Sequence, residues 1–106
     1  MIEYEVGDRA KDYVVLKLRG ELVGDVPVDR LHDALEDHYV DDGVRRIKID
    51  LSEVDHINLE GVGMLLDLWR ESRRQQKSFA VECPAEQVRE KLAVTGVLRL
   101  LSGKKT

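Results

Sequence analysis

The residues best suited to chemistry lie in one short polar segment, residues 55–61, with the sequence Asp-His-Ile-Asn-Leu-Glu-Gly. An apolar helical pattern begins just after this segment. The first N–H groups of a helix have no partner within the helix, and the helix dipole favours negative charge there. Asn58 suits the N-cap position, which places Glu60 in the first turn, where a carboxylate is favoured by roughly 0.3–1 kcal/mol. The segment therefore predicts an acidic helix start that is open to binding or regulation.

Other reactive side chains form weaker patterns. His32 and His38 are six residues apart in the sequence, which does not place two ligands on one helical face, so we expect no metal site. Cys83 has no second cysteine and no evident base beside it, so we expect no nucleophile, no enzyme activity and no cofactor. The Gly61-x-Gly63 pair lacks the third glycine and the lysine of phosphate-binding loops. The two glycines instead predict close packing, against either the sheet or a partner, and the sequence leaves both open.

Length and composition predict one domain spanning residues 1–106, with 102–106 as a flexible tail. Hydrophobic residues make up 42% of the chain and charged residues 36%, as in soluble globular domains. The net charge of −4 argues against binding to nucleic acid or to anionic membranes. The single cysteine excludes an internal disulfide and fits a reducing compartment. Because the sequence has no transmembrane-length apolar run and no signal-peptide pattern, we predict a cytoplasmic protein without membrane insertion.

Hydrophobic periodicity predicts the elements on which these residues lie. Alternation at Ile47, Ile49 and Leu51 indicates a half-buried strand, and the apolar spacing from Val62 indicates a helix of roughly four turns. The other predicted elements are strands at 2–6 and 13–19 joined as a hairpin, a loop at 20–25, a helix from Pro27 to about 41–43, a strand at 78–82, a helix opened by Pro84, and a last strand at 97–101. The predicted fold is a single α/β domain, a mixed sheet with helices packed on it, in the order β-β-α-β-α-β-α-β.

Several short motifs resemble those of one protein family. They are the corner Gly20-Glu21-Leu22, the strand Ile-Asp-Leu-Ser-Glu-Val at 49–54, the Gly-x-Gly-x-Leu-Leu helix start at 61–66, and Thr95-Gly96-Val97. Together they resemble a STAS domain of the bacterial anti-sigma factor antagonist kind, over nearly the whole chain. The resemblance implies a regulatory module of transcription that switches between protein partners.

The resemblance also implies a phosphorylation site, from which this sequence departs. Antagonists of this kind carry Asp-Ser-Ser-Gly or Asp-Ser-Thr-Gly at the start of the second helix. A histidine-kinase-like ATPase, which is also the anti-sigma factor, phosphorylates the hydroxyl residue before the glycine, and a PP2C-type phosphatase reverses the reaction. Here the four residues 58–61 read Asn-Leu-Glu-Gly, so that Glu60 stands at the acceptor position and cannot form a stable phosphoester.

Two readings of Glu60 remain open from the sequence. A phosphate would carry about −1.5 to −2 charges and three acceptor oxygens, whereas a carboxylate has one charge and two oxygens. Glu60 is therefore a partial phosphomimetic that holds the protein in a phosphorylated-like state, or it is an ordinary acid at a helix start.

The expected partner-binding surface combines this helix start with the corner before it. Its residues are Glu21, Asp25, Asn58, Leu59, Glu60, Gly61, Val62 and Met64. We expect substitutions at Val62 or Met64 to weaken partner capture without unfolding the protein. The expected partners are an anti-sigma factor of the histidine-kinase-like ATPase kind, a PP2C-type phosphatase and other STAS proteins. The alternative is a scaffold, or a nucleotide- or lipid-binding subunit of a transport or stress-sensing assembly.

Overall fold

Four strands and three helices make up the described part of the chain. The computed structural model describes residues 2–7, 10–23, 28–82 and 86–94. The elements are β1 (Ile2–Val6), β2 (Tyr13–Leu22), α1 (Val28–Tyr39), β3 (Arg46–Ile57), α2 (Leu59–Arg74), β4 (Ser78–Glu82) and α3 (Glu86–Val94). This order confirms the predicted one through the third helix. The predicted strand at 97–101, the tail at 102–106, and Asp25, Pro27 and Pro84 lie outside the described residues.

The sheet is mixed, with the strands in the order β1-β2-β3-β4. β1 and β2 are antiparallel, which confirms the predicted hairpin. β2 pairs with β3, and β3 with β4, in parallel. Each parallel pairing requires a crossover connection, which α1 and α2 provide.

The hydrophobic core lies between the sheet and its helices. Alternate residues of the central strands are buried, including Leu16 and Leu18 in β2 and Ile47 and Ile49 in β3. α2 contacts β2, β3 and β4, α1 contacts β1 and α2, and α3 contacts β3. The core comprises Val14, Leu16, Leu18, Leu22, Leu31, Leu35, Tyr39, Val44, Ile47, Ile49, Leu51, Val54, Ile57, Val62, Met64, Leu65, Leu68, Phe79, Val81, Val88 and Leu92.

Two strands are longer than predicted. β2 extends into the predicted loop as far as Leu22, and β3 extends into the polar segment as far as Ile57. The two extensions pair with each other, Leu22 opposite Ile57, and both of these side chains are buried, at 0% and 6% exposed. Register shifts interrupt the pairing between Lys17 and Arg19 and next to Gly20, where Gly20 has a φ of 105°. Bulges of this kind break the strict alternation by which a strand is recognised.

Candidate functional site

Asn58 joins the end of β3 to the start of α2. Its backbone is extended, with φ −120° and ψ −175°, and its Oδ1 accepts a hydrogen bond of 3.0 Å from the Gly61 N–H. The Asn58 N–H donates to the Leu22 carbonyl at 3.1 Å. The predicted N-cap is confirmed, and the second hydrogen bond fastens the helix start to the end of β2.

Glu60 lies in the first turn of α2, as predicted, and its side chain is exposed. No basic side chain among the described residues pairs with it. Leu59 precedes it and is 72% exposed, an unusual position for a large apolar side chain. The helix start therefore presents an accessible carboxylate beside an uncovered apolar group. That combination suits recognition of another molecule, because neither side chain is used within this part of the fold.

The structure contradicts the surface positions predicted for Val62 and Met64. Their side chains are 4% and 2% exposed and belong to the core. The buried surface of α2 is wider than one row of side chains, because Val62 and Met64 are buried together with Leu65 and Leu68. We therefore expect polar or charged substitutions at either position to destabilise the fold, and neither side chain contributes to the exposed surface.

The two glycines of α2 have different surroundings. A Cβ added at Gly61 would clash with the Leu22 carbonyl oxygen and would lie 2.8 Å from Leu22 Cβ and 2.9 Å from Ile57 Cγ1. A Cβ added at Gly63 would have no neighbouring atom within 4 Å. Close packing against the sheet, one of the two alternatives left open by the sequence, therefore explains Gly61 and does not explain Gly63.

The carboxyl ends of β2 and β3 lie beside this helix start. Glu21 is opposite His56 in the parallel pairing, and both are exposed, as is Asp55. Asp25, the other acid predicted near this corner, lies outside the described residues. The described residues 20–23 and 54–63 include Glu21, Asp55 and Glu60 but no lysine or arginine. The charged side chains of these two described segments are therefore acidic only, with His56 neutral.

A concavity that the sequence did not reveal lies between α1 and the C-terminal end of α2. It is an open cleft of about 310 Å³ lined by His32, Asp33, Glu36, Tyr39, Val40, Glu71 and Gln75. The Gln75 amide, at 2.9 Å, and the Arg74 guanidinium, at 3.1 Å, donate to Glu71 and lower the pKa of that carboxyl. The lining residues recur at intervals of three and four, a signal that is common to every exposed helix face and could not single out this one.

The described residues contain neither a metal-binding cluster nor a membrane-spanning helix. No group of three or more His, Cys, Asp or Glu side chains is arranged to hold a metal ion in this part of the chain. No helix within the same residues is long and apolar enough to cross a membrane.

Comparison with known proteins places the chain in a family. The family model described as "Mlab, STAS domain" matches residues 7–102. The anti-sigma factor antagonist SpoIIAA in its unphosphorylated form is similar with a TM-score of 0.74 and 19% identity, over 92% of this chain and 84% of that one. An anti-sigma factor antagonist from Mycobacterium paratuberculosis is similar with a TM-score of 0.70 and 23% identity, over 92% and 80%.

A third structure, the Bacillus cell fate determinant SpoIIAA in its phosphorylated form, has a TM-score of 0.62 and 19% identity, over 90% of this chain and 85% of that one. No curated protein matches the sequence. At these identities the solved structures establish the shared fold. Together with the family match over residues 7–102, they show that this chain belongs to the STAS domain family.

Proposed function

We propose that this protein is a regulatory protein–protein interaction module that resembles an anti-sigma factor antagonist and is not phosphorylated at the usual position. The observation that carries the proposal is the exposed Glu60, which lies in the first turn of the helix capped by Asn58 and has no ion-pair partner within the described part of the chain. A side chain in that place meets any partner that contacts the start of α2. We propose no catalytic activity and no cofactor, since no nucleophile–base pair was found in the sequence.

The electrostatics of the helix start support a regulatory role for Glu60. The N-terminal N–H groups and the helix dipole stabilise a negative group, whether carboxylate or phosphate. A carboxylate supplies part of the charge and part of the acceptor capacity of a phosphoserine. We therefore propose that Glu60 imitates the phosphorylated state and weakens binding to a kinase-like partner.

The proposed partner is an anti-sigma factor of the histidine-kinase-like ATPase kind, in the cytoplasm of a bacterium. A PP2C-type phosphatase or other STAS proteins are the other partners that a partner-switching pathway would supply. One relative, SpoIIAA, has been solved in both unphosphorylated and phosphorylated forms. The shared fold supports the comparison, and the carboxylate at position 60 is the feature that separates this chain from a reversible switch.

Affinity capture from native lysate tests the role of Glu60. The baits are the wild type, Glu60→Ser, which restores an acceptor hydroxyl, and Glu60→Gln, which removes the charge without restoring the hydroxyl. We expect both variants to retain a kinase-like ATPase at least tenfold better than the wild type does, because both remove the negative charge. Equal capture by all three would show that the acid is tolerated and would contradict the phosphomimetic role.

Phosphoryl transfer gives a second, independent readout. With the captured ATPase and ATP, we expect Glu60→Ser to gain the mass of one phosphate and the wild type to gain none. Ser72 is fully buried and donates to the Leu68 carbonyl at 2.9 Å, so it is inaccessible to a kinase. Ser52 is exposed, and a stoichiometric wild-type phosphopeptide containing Ser52 would contradict the proposal.

A second candidate function is favoured by the absence of an acceptor hydroxyl at position 60. A STAS domain without a phosphorylation site would serve as a constitutive scaffold, or as a nucleotide- or lipid-binding subunit of a transport or stress-sensing assembly. Capture of transporter or lipid-binding subunits by all three baits, together with a rise in Tm on adding nucleotide or phospholipid, would favour this function over the first.

A further inference from the structure

The edge of the sheet at β1 has backbone hydrogen-bonding groups that point away from the other described strands. β1 is at one end of the described sheet, and its register with β2 has no shift. The Gly7 N–H donates to the Val15 carbonyl at 2.9 Å. Hydrogen-bonded and non-hydrogen-bonded pairs alternate along an antiparallel ladder. The N–H and C=O groups of Ile2, Tyr4 and Val6 therefore point away from β2.

The two acids of β1 are exposed and have no ion-pair partner in the described part of the chain. Glu3 lies opposite Arg19 in the antiparallel register. Glu5 lies opposite Lys17 in the same register. Both cations pair instead with Glu53 of β3, the arginine at 3.3 Å and the lysine at 2.9 Å. The edge strand therefore presents two uncompensated carboxylates on one face of the sheet.

The other face of β1 presents apolar side chains, because successive side chains of a strand point to opposite faces. Ile2 and Val6 are half-buried against the core, and Tyr4 between them is 38% exposed. β1 contains no proline or glycine, residues that weaken or interrupt an edge strand. A strand added here would meet free backbone groups, apolar side chains on one face and carboxylates on the other. Addition of a strand to a sheet edge is a general mode of peptide recognition.

A second copy of β1 does not suit this edge. An isologous antiparallel dimer that joins the outward backbone groups would place even-numbered residues opposite even-numbered ones, and therefore acids opposite acids. Like charges directly opposite each other destabilise a strand pair, whereas opposite charges stabilise it. The charges of Glu3 and Glu5 thus favour a strand that carries a cation at every second position.

We infer that the free edge of β1 binds an extended segment of another protein in which apolar residues alternate with lysine or arginine. The added strand forms main-chain hydrogen bonds with Tyr4 and its outward-facing neighbours, places cations opposite Glu3 and Glu5, and lays an apolar side chain beside the Tyr4 ring. β2 separates this edge from the β3–α2 junction. The inference therefore goes beyond the proposed function and does not depend on the residue at position 60.

Titration with labelled synthetic peptides tests the inference. The first peptide alternates valine with lysine, the second has glutamate in place of each lysine, and the third has the composition of the first with valines and lysines in two blocks. We expect the alternating lysine peptide to bind roughly tenfold more tightly than the glutamate peptide, because attraction replaces repulsion at two positions. It should also bind more tightly than the block peptide, which cannot place a cation opposite each acid.

Charge reversal on β1 should invert this preference. In the double variant Glu3→Lys, Glu5→Lys, we expect the glutamate peptide to bind roughly tenfold more tightly than the alternating lysine peptide. The matched control is Asp33→Lys, Asp37→Lys, which makes the same change of net charge at two exposed positions of α1. The control should keep the wild-type preference.

Amide hydrogen exchange distinguishes strand addition from general charge attraction. The alternating lysine peptide should slow exchange of the Tyr4 and Val6 amides, whose N–H groups point outward, and should not change the Glu5 amide, which faces β2. Tyr4→Pro removes an outward N–H and no hydrogen bond to β2, so an edge strand tolerates it. We expect Tyr4→Pro to lose the peptide and Tyr4→Ala, which keeps the N–H, to retain it more tightly. The Tm of each variant shows whether it is folded.

Three results would each overturn the inference. They are equal affinity for the alternating and block peptides, an unchanged preference in Glu3→Lys, Glu5→Lys, and binding that leaves exchange of the Tyr4 and Val6 amides unchanged. If Tyr4→Pro proves unfolded, the charge-reversal variant and the exchange rates of the wild type still decide the matter. No kinase-like ATPase takes part in these measurements, so the proposed function stands or falls separately.

Discussion

The difference between Gly61 and Gly63 shows how the surroundings of a single residue define its role. The two glycines are separated by a single residue on the same helix, yet of the two only Gly61 faces the sheet. Its added Cβ would clash with the Leu22 carbonyl oxygen, which cannot move away because it accepts the hydrogen bond from the Asn58 N–H that positions the helix start. A glycine is therefore required at position 61 by packing within the fold, because a side chain there would clash with the sheet.

We predict that Gly61→Ala destabilises the protein by at least about 2–3 kcal/mol, because overpacking against fixed backbone cannot be relieved by a change of rotamer. Urea denaturation measures the change in the free energy of unfolding. Gly63→Ala is the matched control, since the substitution is the same and space is available; it should stabilise by about 0.5–1 kcal/mol. Equal effects of the two variants would show that space beside the helix does not decide the outcome.

At the level of helices, α1 and α2 meet around the hydroxyl of Tyr39. Tyr39 is 5% exposed, and its hydroxyl is buried without a hydrogen-bond partner of good geometry. Burial raises the pKa of Tyr39 to about 12, and the nearby Ser72 hydroxyl acts in the opposite direction. The His32 ring lies near the Tyr39 ring in a tilted arrangement, with centroids 6.3 Å apart and 38° between the ring planes. The helix–helix contact therefore favours the neutral phenol.

This pKa shift predicts a loss of stability at alkaline pH. The folded protein keeps the Tyr39 proton up to about pH 12, whereas the unfolded chain loses it near 10.0. Between these two values the unfolded state binds fewer protons than the folded state, so the free energy of unfolding falls as the pH rises. The contribution of Tyr39 is fully present below pH 10 and is lost as the pH rises through 12, a total of about 2–3 kcal/mol.

The measurement is urea denaturation of the wild type and Tyr39→Phe between pH 7 and pH 12. We expect the two proteins to differ by no more than about 1 kcal/mol at pH 7, since the hydroxyl lacks a good partner. The stability of the wild type should fall more steeply above pH 10. Parallel profiles over the whole range would show that Tyr39 does not carry this dependence.

At the scale of the whole molecule, charged side chains of the described residues pair on one surface, whereas Glu60 at the start of α2 has no such partner among them. Lys17 and Arg19 both pair with Glu53, at 2.9 and 3.3 Å, and the Glu53 carboxylate raises the pKa of Lys17. Lys48 pairs with Glu82 at 3.3 Å. These side chains are partly exposed, and each of their charges has an opposite charge within ion-pair distance. Glu60, which has no ion-pair partner among the described residues, is therefore the charge that a partner at the start of α2 would meet.

Lys77 connects distant parts of the chain. It follows α2, is 8% exposed, and its Nζ donates to the carbonyls of Asp41 at 2.9 Å and Val44 at 2.6 Å. The connection from α1 to β3 is thereby held against the connection from α2 to β4. Only the fold gives Lys77 this role, since its two acceptors lie 36 and 33 residues away in the chain.

We predict that Lys77→Met destabilises the protein by about 1–3 kcal/mol, because it removes a charged donor and leaves its two carbonyl acceptors without that donor. Lys48→Met is the control, since the Lys48–Glu82 pair is partly exposed and pairs of that kind contribute about 1 kcal/mol or less. Thermal and urea denaturation of both variants measure the difference. A smaller loss of stability in Lys77→Met than in Lys48→Met would contradict the role of Lys77 in holding the two connections together.

The sequence was sufficient for features that depend on local order along the chain. Hydrophobic periodicity predicted the order of elements through α3, and side-chain preferences at helix starts predicted the Asn58 cap and the position of Glu60. The motif resemblance predicted the STAS family. Each of these follows from residues within a few positions of one another, where propensity, capping and period act directly.

Tertiary structure decided what depends on residues far apart in the chain. The pairing of Leu22 with Ile57 extended two strands through segments that looked like loops, because register shifts hide the alternation. The breadth of contact between α2 and the sheet buried Val62 and Met64, which we had expected at the surface. The Leu22 carbonyl requires a glycine at position 61, whereas the space beside Gly63 is open. Spacing within a helix cannot reveal these outcomes, since each is set by the atoms on the opposite side of a contact.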